Sequence, residues 1–128
     1  PPAPPPAPPP APPPPPPPVR TFIVFFDFDK ADLTAEAQGT IVQAVAAARS
    51  QNAVRVKIVG HTDTVGSQKY NQALSVRRAS NVRAEMVRQG LEIGAIEVEG
   101  SSFTDPLVQT GSGIREPKNR RAVIDMGG

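Results

Sequence analysis

The chain has no cysteine and no tryptophan, one histidine and one tyrosine. Without a thiol there is no disulfide, no thiolate nucleophile and no zinc–thiolate centre. The lone His61 has no His or Cys partners, which argues against a metal site or a histidine-based catalytic dyad. Charge of either sign is also scarce in excess: 14 Lys and Arg stand against 12 Asp and Glu, a net +2. That balance is a poor footprint for nucleic acid, and no aromatic residues interleave with the arginines as a single-strand binder requires. No apolar run approaches the roughly 18 residues of a membrane span. Proline is nearly absent as well, except at one place. Of the 17 prolines in the chain, 15 lie among the first 18 residues, interrupted only by Ala3, Ala7 and Ala11.

Such a tract cannot pack a core and favours the stiff polyproline II conformation. At about 3.1 Å per residue it spans roughly 55 Å. Residues 1–18 therefore read as an extended linker and 19–128 as one small domain with one core. No secretory leader is visible, and a start inside low-complexity sequence reads as a fragment of a longer protein. As a ligand for proline-binding modules or as a spacer, the tract reads better as a spacer when attached to a binding domain.

Within the domain, Phe22 to Phe26 is a continuous apolar run, read as a buried strand that stops at the polar loop Asp27–Lys30. Thr34 is a helix cap and Glu36 favours the first turn of a helix over about 35–50. Its inward face is Ala37, Ile41, Ala44, Val45 and Ala48. Val54, Val56 and Ile58 alternate with Arg55 and Lys57 as a strand. Gly60 to Gly66 is a turn, and 67–89 a long helix with Leu74, Ala79, Val82 and Met86 inward, stopped at Gly90. Ile96 and Val98 mark a third strand. Ala122, Ile124 and Met126, alternating with Arg121 and Asp125, mark the last. The order β-α-β-α-β-β predicts an α+β two-layer sandwich, two helices on one face of a small mixed four-stranded sheet. Arg55, Lys57, Glu97 and Glu99 are expected to form charged pairs on the other face.

The stretch Gly60–Ala79, GHTDTVGSQKYNQALSVRRA, sets one acid ahead of an arginine pair. Together an acid and a guanidinium can grip a ligand that carries both a cation and an anion. With FFDFDKADLT at 25–34 and NRRAVIDM at 119–126, it resembles the OmpA-like peptidoglycan-binding domain, over nearly all of 20–127. Ala122 stands where valine is more usual.

The resemblance implies non-covalent binding of the diaminopimelate in the peptide stem of peptidoglycan, with no catalysis, cofactor or metal. Asp63 and Arg78 match the family's two clamping residues, one for the ammonium and one for the carboxylate. Thr62 and Asn71 are expected as supporting contacts, and Phe28 and Asp29 as the opposite wall. His61, Asn119 and Arg120 are expected in support, and Arg77 on the solvated face. An ion pair of Arg78 with Asp63 in the empty site is the structural alternative. Asp27, Asp29 and Asp32 lack the glycine and final glutamate of a calcium loop. The resemblance also implies a periplasmic module tethered to the outer membrane by a part preceding Pro1, without membrane contact of its own. A stator or secretion-system component of the inner membrane is the alternative. A wall hydrolase would need a partner carboxylate or metal that the sequence does not offer.

Overall fold

The computed structural model describes residues 1–14, 20–53 and 55–127. Val54, the junction from Pro15 to Val19 and Gly128, all included in the readings above, lie outside the described residues. Residues 1–14 are exposed and carry no helix or strand. Among the described residues no helix is long and apolar enough to cross a membrane.

The first helix, α1 (Ala35–Ser50), begins where the Thr34 hydroxyl accepts a hydrogen bond from Ala37 N at 3.1 Å. That bond satisfies one of the free amides of the first turn. Its buried face is the expected Ala37, Ile41, Ala44, Val45 and Ala48. The second helix, α2 (Gln68–Arg88), is capped likewise by Ser67, which accepts from Tyr70 N at 3.1 Å. Gly90, at φ +110, turns the chain back after it, and the side chain of Arg49 packs where a Cβ would stand.

Four strands, β1 (Thr21–Phe25), β2 (Val56–Gly60), β3 (Ile96–Gly100) and β4 (Arg121–Asp125), form one sheet in the order β1-β4-β2-β3. β2 and β3 are parallel, joined through α2, while β4 runs antiparallel to both β1 and β2. The last strand of the chain thus lies in the middle of the sheet. Val24, Ile58, Ile96 and Ile124 point to one face and join the helices' Ile41, Val45, Val82 and Met86 in a single core.

β1 differs from expectation. Its apolar run predicts a strand buried on both faces, yet it is an edge strand with helices on one face only. Alternate side chains therefore diverge. Val24 is buried, whereas Ile23 and Phe25 are 37% and 47% exposed. Ile23 pairs with Val123, which pairs with Val59, and this aliphatic row gives β1 its lateral packing. On the same open face Lys57 and Glu99 form the expected kind of charge pair, at 3.0 Å.

α2 crosses β2 at Gly60 with backbone against backbone. A Cβ on Gly60 would lie 1.8 Å from the Ser75 carbonyl oxygen. Only glycine permits this approach. It brings the third turn of α2, with Arg78, beneath the loop that leaves β2.

Candidate functional site

The loops after β1 and β2, the start of α2 and the segment before β4 converge at one end of the sheet. His61 N donates to Arg121 O at 2.8 Å and Thr62 N to Ser102 O at 2.9 Å, so the chain leaving β2 is still pinned on both sides. The Thr62 hydroxyl donates to Asp63 O at 3.0 Å. Asp63 is 4% exposed. Its Oδ1 accepts from Val65 N at 3.3 Å, and its Oδ2 sits 3.5 Å from Arg120 Nη1. Asn71 donates from its amide nitrogen to Val65 O at 2.8 Å and to Ser67 O at 3.0 Å, holding the loop over the start of α2. Gly66, at φ +96, supplies the left-handed bend within that loop.

Arg78 is fully buried, at 0% exposure, under the same loops. Its Nε donates to Lys30 O at 2.9 Å, Nη1 to His61 O at 2.8 Å and Nη2 to Asp27 O at 3.2 Å. The guanidinium also lies 5.2 Å from the centre of the Phe26 ring. The alternative of an Arg78–Asp63 ion pair is thus replaced. Asp63 meets Arg120 instead, because a buried guanidinium needs several acceptors and three loop carbonyls supply them. Burial pushes the Arg78 pKa down to about 10, while the nearby Asp63 charge favours the cation. It stays protonated at neutral pH. Of five N–H donors on a guanidinium, three are used here, so two have no acceptor among the described residues.

Beside Asp63 is a pocket of about 140 Å3, whose walls include Phe28, Asp29, Asp63, Gly66, Tyr70 and Asn71. Four of the expected contact residues meet there. Thr62 and Arg78 do not line it; Thr62 fixes the backbone at Asp63, and Arg78 is buried under the neighbouring loops. Two residues went unnoticed in sequence. Tyr70, in the first turn of α2, donates its hydroxyl to Asp29 Oδ1 across the pocket. Its signal was its place directly before Asn71. Arg115 lies with its guanidinium carbon 3.7 Å from the centre of the Phe28 ring. Nothing in the local sequence around Arg115 announces that contact.

The supporting residues divide. Arg120 borders Asp63 and donates from Nε to Phe26 O at 3.1 Å. Asn119 fastens a loop by donating to Val108 O and accepting from Val108 N, both at 2.8 Å. His61 is packed and its Nδ1 has no hydrogen-bond partner among the described residues. Burial, then the charge of Arg121, push its pKa down to about 4, so it is neutral. Arg121 is 6% exposed and fastens its strand to the loop after β3, where Asp105 O accepts from Nη2 at 3.2 Å. Arg77 is exposed as expected. Among the described residues no three His, Cys, Asp or Glu side chains gather as metal ligands would.

Comparison with known proteins agrees with this fold. The chain is 46% identical over 111 residues to an outer membrane protein of Gluconacetobacter diazotrophicus, covering 82% of this chain but only 29% of that protein. The peptidoglycan-associated lipoprotein of Burkholderia pseudomallei superposes with a TM-score of 0.74 at 27% identity, covering 81% of this chain and 88% of that one. The OmpA-like domain of FopA1 from Francisella tularensis gives 0.72 at 28% identity, covering 81% and 69%. The model of the OmpA family matches residues 25–120, and the chain belongs to that family.

Proposed function

We propose that this domain binds peptidoglycan without cleaving it, by gripping the free amino-acid end of diaminopimelate in the peptide stem. The observation that carries the reading is the small pocket walled by Asp63, with Arg78 buried nearby and bonded to the carbonyl of His61, two residues before that acid. Among the described residues the ion pair of Asp63 is a long one, 3.5 Å to Arg120, which leaves it a natural acceptor for an ammonium. Arg78 has two donors without an acceptor among the described residues, for a carboxylate on the same carbon, in the short charge-assisted geometry that a guanidinium favours. Since both groups are already fixed by the fold, little side-chain entropy is lost on binding. The name of the Burkholderia relative supports the wall as the target.

The domain fastens an outer-membrane protein to the wall from the periplasmic side. The Gluconacetobacter relative's name supports that location. The proline tract 1–18 is the spacer between the domain, 19–128, and its anchor. Each contact is weak and reversible, and many copies on one envelope hold by avidity.

Cosedimentation of the full chain with purified sacculi tests this. Sacculi with diaminopimelate stems are expected to retain the chain, and free diaminopimelate to release it. Lysine-type sacculi, which lack the distal carboxylate, are expected to retain little. Equal retention on both types would overturn the assignment.

A further inference from the structure

At the rim of the pocket an arginine is held in place without a partner for its charge. The guanidinium of Arg115 stacks 3.7 Å above Phe28, whose ring lines the same pocket as Asp29 and Asp63. Arg115 is exposed and makes no ion pair or hydrogen bond among the described residues. Stacking uses the flat face of the guanidinium and leaves its N–H edge free. Arg78, by contrast, has three of its five donors spent on backbone carbonyls. Arg115 therefore offers, at the rim, anion-binding capacity that faces solvent.

We infer that Arg115 on Phe28 is a second anion subsite. It takes a carboxylate of the same stem peptide outside the pocket, the α-carboxylate of the glutamate that precedes diaminopimelate. This rests on the stem-peptide reading of the pocket. The subsite reads whether that glutamate is free or amidated, and lysine would not replace the arginine because it lacks the planar face.

The test is titration of the full chain with two muropeptides that differ only in that carboxylate, free or amidated, with Arg115→Ala and Asp63→Ala alongside. The wild-type chain is expected to prefer the free form by about fivefold, the size of a solvent-facing ion pair. Raised salt should weaken that preference. Arg115→Ala should bind both forms alike, at the wild-type affinity for the amidated one. A wild-type preference that survives in Arg115→Ala would overturn the subsite. So would absence of any preference in a wild-type chain whose binding is lost in Asp63→Ala. Failure of the wild-type chain to bind either form would instead overturn the stem-peptide reading and the subsite with it.

Discussion

Arg78 and Asp63 lie close together but stand in different relations to the fold. Arg78 supplies hydrogens to carbonyls of two loops, at Asp27, Lys30 and His61. Arg78→Ala is expected to leave these without donors in a buried site and to cost about 3–5 kcal/mol, measured as a shift in the urea midpoint. Loss of binding in that variant would therefore mix two causes. Asp63 accepts one bond within its own loop and lies 3.5 Å from Arg120. Asp63→Asn should stay folded and lose ligand, which makes it the cleaner probe. His61 gives a pH signature. Its pKa falls from 6.5 to about 4 in the folded chain, first through burial and then through Arg121. Below about 6.5 the unfolded chain takes up a proton that the folded chain refuses. This contribution is whole above 6.5 and is lost as pH falls toward 4, at up to about 1.4 kcal/mol per pH unit. Denaturation at pH 7.5 and 5 should show a steeper loss for the wild-type chain than for a folded His61→Gln.

The elements differ in how far they could be read before the fold was known. α1 was legible to the residue, because a cap at Thr34 and the spacing 37, 41, 44, 45, 48 are local signals. α2 was legible to within a residue at each end, from the spacing 74, 79, 82, 86 and the stop at Gly90, though its cap at Ser67 was not picked out. Thr34→Ala or Ser67→Ala should each cost about 1 kcal/mol in thermal or urea unfolding. The sidedness of β1 was not legible, since a run apolar on every residue does not say which face the helices cover. Arg78's partners were not legible either. They lie 17, 48 and 51 residues away in sequence, and no periodicity spans such distances. Arg121 was legible as a residue that fastens the last strand to the loops, but its acceptor, Asp105 O, 16 residues away, was not. Gly60 looked like a turn residue, and it is also a point where the backbone of α2 meets the sheet. Gly60→Ala should destabilise the chain by more than about 2 kcal/mol, since the added methyl meets backbone that cannot move aside.

The whole molecule joins two kinds of polymer. A stretch with 15 prolines in 18 residues precedes a domain with one core, and residues 1–14 of that stretch are exposed. On the proposed reading these exposed residues add reach to the domain rather than packing. Deleting residues 1–14 should leave the melting temperature and the affinity for a soluble muropeptide unchanged. The central claim is that Asp63 holds the stem peptide. It is tested most directly by calorimetric titration of the full chain with a muropeptide bearing free diaminopimelate, beside an Asp63→Ala variant that melts at the wild-type temperature. Saturable one-site binding by the wild-type chain, and a loss of more than tenfold in the variant, is the predicted result. Equal binding by the two proteins would contradict the claim.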